Sequence, residues 1–258
     1  MLPNLGETRS SLKSDHLLQT PDTFIRTPLP GTAGVEFIVH CGPRIGAGFT
    51  MMTAEFSAGG LLPDLPGDIQ RFVYLVSGEL EVCLQTTEQA VHSVQATHRV
   101  VRGGFVFVPA GSPHRIQAKT AATAVVIEKS FIAVDEKITK VCAFFGQEDD
   151  LPSEPLGGDP ALQVKRMMPD GTAYDFAVNT MTYDPGASLA MVEVHIMEHG
   201  LLMLEGGGIY RLGDNWYPVT AGDFIWMAPY CPQWFGAIGK VPAKYLIYKD
   251  WYRHPLAK

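Results

Sequence analysis

The heptapeptide EVHIMEH carries Glu193, His195 and His199, and a later run, CPQWF, carries Gln233. On a strand, alternate side chains share a face, and Glu193, His195 and His199 have the same parity. A carboxylate and two imidazoles converging inside a barrel bind a divalent metal, and the amide oxygen of Gln233 supplies a fourth ligand. The set holds two nitrogens, two oxygens and no thiolate, so it suits Mn(II) or Fe(II) better than a structural zinc site. Two other readings of these residues remain open. Histidines four apart share a helical face, as in zinc proteases, but that motif needs Glu directly after the first His, and Ile196 stands there. The other is a solvated strand that happens to carry His and Glu. Against it, a polar cluster aimed into an apolar barrel is costly without a bound partner.

The elements that must position these residues come as a repeat. RFVYLVSGELEVCL (71–84) is followed by GGFVFVPAGSPHRI (103–116), and HGLLMLEGGGIYRL (199–212) by AGDFIWMAPYCPQWF (221–235). Gly78 matches Gly206 at a turn, Gly103 matches Gly222, and His114 falls where Gln233 does. The apolar runs are short, rich in Val, Ile, Phe and Tyr, and bounded by Gly or Pro, which favours strands over helices. Only short segments such as Thr87–Ala90 suit a helix. Two antiparallel β-barrels in tandem are therefore expected, since closure removes exposed edges. The expected division is an N-terminal arm (1–22), a first barrel (23–143), an acidic Pro/Gly-rich linker (144–162) and a second barrel (163–258) bearing the metal site.

Composition narrows the class. The chain has 258 residues, enough for two modest cores, and a net charge of -7. That charge argues against a nucleic-acid partner, and the lack of a Lys/Arg cluster against an anionic membrane surface. The four cysteines, Cys41, Cys83, Cys142 and Cys231, contain no Cys-x-x-Cys pair. They read as reduced thiols of a cytoplasmic protein. The first 24 residues lack the apolar core of a secretory signal, and no apolar run is long enough to span a membrane.

The order Glu-x-His-x-x-x-His, Gly206, Gly222 and Gln233 resembles the two motifs of cupins. Where those motifs usually carry His-x-His, Glu and a final His, this chain has Glu193, His195, His199 and Gln233. That permutation resembles the (S)-ureidoglycine aminohydrolase family over nearly the whole chain, most specifically in EHGLLMLEGGGIYRLGDNWYPVTAGDFIWMAPYCPQWFGAIG and YLIYKDWYRH. The resemblance implies a bicupin fold and a hydrolase acting on a C–N bond. Its reaction would convert (S)-ureidoglycine to (S)-ureidoglycolate and ammonia in purine catabolism. The implied cofactor is Mn(II) on Glu193, His195, His199 and Gln233, with Fe(II), Co(II) or Ni(II) as other occupants. Tyr210, Tyr245 and Lys249 match positions that line the substrate site; on spacing alone they read as barrel-wall aromatics and a strand end. A homo-oligomer is also expected.

Counting back from Gly78 as from Gly206, the first barrel's slots hold Leu65, Gly67, Arg71 and His114. Only His114 is an ordinary ligand, so this half reads as structural. Two rival functions stand beside the hydrolase: an Fe(II) cupin dioxygenase using the same four residues, and a cupin that binds a ureide without turning it over.

Overall fold

The computed structural model describes residues 7–86, 94–134, 141–250, 254 and 256. The segment considered for a helix, Thr87–Ala90, and positions 251–253 of the YLIYKDWYRH run lie outside them. The first strands are β1 (Ser11–Leu12) and β2 (His16–Gln19). There follow β3 (Arg26–Thr27), β4 (Ala33–Cys41), β5 (Thr50–Leu62), β6 (Ile69–Ser77), β7 (Glu79–Thr86), β8 (Val94–Val101), β9 (Gly104–Val108), β10 (His114–Ala118), β11 (Ala122–Ser130) and β12 (Phe144–Gln147). The rest are β13 (Glu154–Leu156), β14 (Asp159–Arg166), β15 (Phe176–Tyr183), β16 (His199–Glu205), β17 (Gly207–Leu212), β18 (Asn215–Thr220), β19 (Phe224–Met227), β20 (Gln233–Ala237) and β21 (Ala243–Asp250). Among the described residues the helical turns are short 3₁₀ segments, and no helix is long and apolar enough to cross a membrane.

Two compact units result. The first-barrel unit comprises Ile25–Ile132 and Lys137–Asp150, and the other comprises Met1–Phe24, Ala133–Glu136 and Leu151–Lys258. In the first-barrel unit one sheet runs β12-β9-β6-β11-β5-β10-β7-β8, with β4 on β5 and β3 on β4. Its core includes Phe37, Val73, Leu75, Val82, Val106 and Val126. The second unit pairs an eight-stranded sheet, β1-β2-β19-β16-β21-β15-β14-β13, with a three-stranded sheet, β18-β17-β20. Both of its sheets contribute to one core, through residues such as Tyr183, Leu201, Met203, Leu212 and Phe235.

The matched turns of the repeat are real equivalents. Gly78 and Gly206 both have positive φ, 86° and 64°. A Cβ at either would strike the backbone of the facing strand, at Ala121 and Ala122 or at Pro242 and Ala243. Glycine is needed at both places for the same two reasons.

Two expected boundaries differ. The stretch 144–162, read as a linker, supplies β12 to the first-barrel sheet, and β13 with the start of β14 to the other. Its acidic and Pro/Gly-rich composition masked short edge strands, which tolerate such residues. The arm belongs to the second unit. There β2 pairs with β19, His16 opposite Met227 and Gln19 opposite Phe224. All four residues of β19 are buried, and without β2 this apolar strand would be a bare edge. Arg9 fixes the arm further. Its guanidinium donates to both carboxylate oxygens of Asp223, at 2.6 and 2.9 Å, and to the Pro218 carbonyl. Asp223 is fully buried while Arg9 is partly exposed, so solvent and salt screen this pair less than one with both partners at the surface, but still reach it.

Burial also sets a pH dependence in the first-barrel unit. His40 shares a hydrogen bond with Thr53 Oγ1 at 2.8 Å, and burial pushes its imidazole down to about 3 from 6.5. Between those values the unfolded chain takes up a proton that the folded chain refuses. Stability should therefore fall as pH drops from 6.5 towards 3, by up to about 1.4 kcal/mol per pH unit from this group. Urea unfolding at a series of acidic pH values should show this slope, and His40→Gln should flatten it. An unchanged slope in the variant would assign the effect elsewhere.

Candidate functional site

Glu193, His195, His199 and Gln233 do converge, but not through the parity of a single strand. Residues 184–198 form no strand. Glu193 instead forms an isolated antiparallel bridge with Gln233. Each N–H donates to the other's carbonyl, at 2.8 and 2.9 Å, a reciprocal pairing that puts the two side chains side by side. His195 lies in the following loop. Its carbonyl accepts from the Tyr230 N–H at 2.6 Å, and Tyr230 has a positive φ of 65°. This left-handed residue sits in the turn that delivers Gln233, a place where backbone strain is held by its surroundings. His199 opens β16 and stands in register with Lys249 on β21 and Met227 on β19.

These residues line one cavity of about 110 Å³ with Tyr210, Tyr245 and Lys249, walled by Met181, Leu189, Met197 and Ile247. It has room for a few waters or one small molecule. His195 Nε2 lies 3.0 Å from Glu193 Oε2, and the His195 and His199 rings meet edge to face at 5.4 Å. Tyr245, Ile247 and Lys249 line the cavity while Leu246 and Tyr248 do not, as alternation on β21 requires. Tyr210 reaches it from β17 in the other sheet, and its hydroxyl donates to Gln233 Oε1 at 3.4 Å. Spacing alone did not reveal Met181, Leu189, Met197 and Ile247; apolar residues on strands and loops carry no signal that separates a cavity wall from a core.

Burial governs the charges. It is the main cause holding His199 well below the ordinary imidazole range, aided by the neighbouring Lys249 and His195 charges. The ring is therefore neutral near pH 7, and its buried Nδ1 has no hydrogen-bond partner. Burial also lowers the Lys249 ammonium, with Glu193 opposing and Arg166 assisting the shift. Tyr210 and Tyr245 are pushed well above the usual phenol range, chiefly by burial, so both are proton donors. A neutral imidazole, a carboxylate, a second imidazole and an amide oxygen fit an oxygen- and nitrogen-preferring divalent cation.

The described residues contain another group with the donor chemistry of a metal site. Ligand atoms of Asp15, His16 and Cys231 lie within 4.8 Å of one another. Sequence reasoning did not connect them, because Asp15 and His16 stand in the arm. Both His16 nitrogens are already engaged, Nδ1 with Asp15 Oδ1 and Nε2 with the Tyr217 hydroxyl, each at 2.8 Å. Burial pushes the Cys231 thiol up to about 12, so it stays protonated. The group ties the arm to the turn before Gln233.

The cupin domain family matches residues 179–248, which hold most of this cavity. The (S)-ureidoglycine aminohydrolase of Arabidopsis thaliana is 38% identical over 97% of this chain and 80% of its own. That of Escherichia coli strain K12 is 26% identical over 90% and 87%. The crystal structure of protein Ylba from E. coli superposes with a TM-score of 0.82 at 23% identity, covering 96% of each chain. The fold is that of a tandem cupin. The chain belongs to the (S)-ureidoglycine aminohydrolase family, a family of hydrolases.

In the first-barrel unit the corresponding position is filled by an internal cation. Arg71 is buried, and its guanidinium donates to Glu128 Oε1 at 2.7 and 2.9 Å and to the Pro63 carbonyl at 2.7 Å. A further N–H meets His114 Nε2 at 2.9 Å, while His114 Nδ1 donates to the Ser112 carbonyl at 2.8 Å. Both imidazole nitrogens are thus used. His114→Ala should leave metal content and turnover near wild type. It should cost about 1–3 kcal/mol in urea unfolding, the usual penalty of an unpaired buried donor. A folded variant that loses metal would contradict this.

Proposed function

We propose that the chain hydrolyses (S)-ureidoglycine to (S)-ureidoglycolate and ammonia, with Mn(II) held by Glu193, His195, His199 and Gln233. The observation that carries this reading is the single cavity in which those four side chains meet Lys249, Tyr245 and Tyr210. When bound, the metal supplies Lewis acidity at the reacting centre. The remaining roles fall to the chain. The Lys249 ammonium pairs with the substrate carboxylate, which needs a cationic partner. The neutral phenol of Tyr245 donates to the ureido oxygen, while Tyr210, also at the cavity, gives its proton to the Gln233 amide oxygen. As water replaces the amine, Glu193, the carboxylate lining the cavity, takes the water's proton and passes it to the nitrogen, which leaves as ammonia. The apolar wall of Met181, Leu189 and Ile247 limits bulk water and strengthens these polar contacts.

The test is ammonia release from freshly generated (S)-ureidoglycine, with and without added Mn(II). Multiple turnovers that depend on Mn(II) support the proposal. Oxygen consumption in place of ammonia release would make the chain a dioxygenase. Binding without turnover would make it a ureide-binding cupin.

A further inference from the structure

We infer that Tyr183, which does not line the cavity, is a positioning residue that fixes the Tyr245 hydroxyl as a donor towards the substrate. The inference rests on the substrate-facing role proposed for Tyr245. Tyr183 ends β15 and is fully buried, its ring edge-on to Phe235 at 4.9 Å. Its hydroxyl lies 2.8 Å from that of Tyr245, and among the described residues it has no other hydrogen-bond partner.

One proton per hydroxyl decides the direction. If Tyr245 donated to Tyr183, the Tyr183 proton would be left unpaired in an apolar core beside Leu162, Phe235 and Ala243. Burying an unpaired donor is costly, so Tyr183 donates and Tyr245 accepts. The amide oxygen Oε1 of Gln233 can only accept, so Tyr210 must give its proton there. With Tyr183 supplying one partner and Tyr210 giving its proton to Gln233, the Tyr245 proton is directed to the cavity side, where the Tyr210 oxygen lies within reach and a bound substrate oxygen competes for it. The order Tyr183 to Tyr245 to substrate is thus set by a residue the substrate never touches. Without Tyr183, the Tyr245 hydroxyl is free to rotate away from the productive direction.

The test is a double-mutant cycle on kcat/KM for (S)-ureidoglycine. Tyr183→Phe should lower kcat/KM by about 3- to 30-fold, the scale of one misdirected neutral hydrogen bond, with metal content unchanged. In a Tyr245→Phe background the same substitution should change kcat/KM by less than about twofold, because its route of action is gone. A purely structural Tyr183 would show the same factor in both backgrounds, and that result overturns the inference, as does a wild-type rate in Tyr183→Phe. A readout independent of turnover separates this from the functional proposal. In protein labelled with ¹³C at the tyrosine Cζ, Tyr183→Phe should move the Tyr245 resonance. An unmoved resonance overturns the inference even if the enzyme is active. A wild-type chain that releases no ammonia strikes the substrate assignment, while the resonance still decides the contact.

Discussion

Replacing both His195 and His199 with alanine should abolish Mn(II) binding and lower turnover by about three orders of magnitude or more, the scale expected when a Lewis-acid centre is removed. Wild-type protein loaded with Mn(II) and dialysed should retain about one equivalent per chain, by the logic of one cupin site. The double variant should retain almost none. The loss should not be a folding defect, because His195 lies in a loop and His199 already costs desolvation as a buried ring. Circular dichroism and urea unfolding check that point. The Asp15, His16 and Cys231 group provides the control: His16→Ala should leave Mn(II) content at the wild-type level. Retention of Mn(II) by the histidine double variant, or its loss from His16→Ala, would move the metal to the arm. Acidification gives a second view. Ligation requires neutral imidazoles, so protons compete with the cation as pH falls, and excess Mn(II) should partly restore activity. Acid loss that excess metal leaves untouched would indicate another titrating group.

Lys249→Met should lower kcat/KM by about tenfold to a thousandfold, the range for losing a charge-assisted hydrogen bond. Metal content should not change, which separates Lys249 from its neighbours at the site. Methionine keeps an apolar stem of similar length, so packing beside His199 and Ala177 is largely preserved. The pH profile carries further information. Burial lowers the Lys249 pKa from 10.5. The ammonium is present below that lowered value and lost as pH rises through it, so the alkaline fall in kcat/KM should begin below pH 10.5. In Lys249→Met that limb should disappear along with most of the rate. Tyr245→Phe should cost less, since it removes one neutral hydroxyl. A Lys249→Met enzyme with normal kcat/KM would make the residue a bystander at the end of β21.

Much of this was legible in the sequence, for identifiable reasons. Gly78 and Gly206 announced the repeat because the same backbone clash excludes every other residue at both turns. The cavity residues were found through their order along the chain, even though strand parity was the wrong account for Glu193 and His195. Their convergence depends on the bridge from Glu193 to Gln233 and on the left-handed turn at Tyr230, and such long-range backbone pairing leaves no local pattern. The arm was unreadable for a similar reason. HLLQ is too short to declare itself a strand, and its partner β19 lies at the far end of the chain. Tyr183 escaped because a tyrosine at a strand end looks like any barrel aromatic until its hydroxyl is seen beside Tyr245.

The clamp between Arg9 and Asp223 spans 214 positions of sequence. During synthesis the first of these leaves the ribosome long before the second. At about 5–20 residues per second, the delay is roughly ten to forty seconds. Throughout that interval the emerging residues 7–24 have no β19 to pair with, whereas the strands of the first-barrel unit find their partners close behind them. The second sheet closes by a return to the oldest part of the nascent chain. A fusion partner placed before residue 7 would therefore burden the maturation of the barrel that holds the cavity more than that of the barrel nearer to it in sequence.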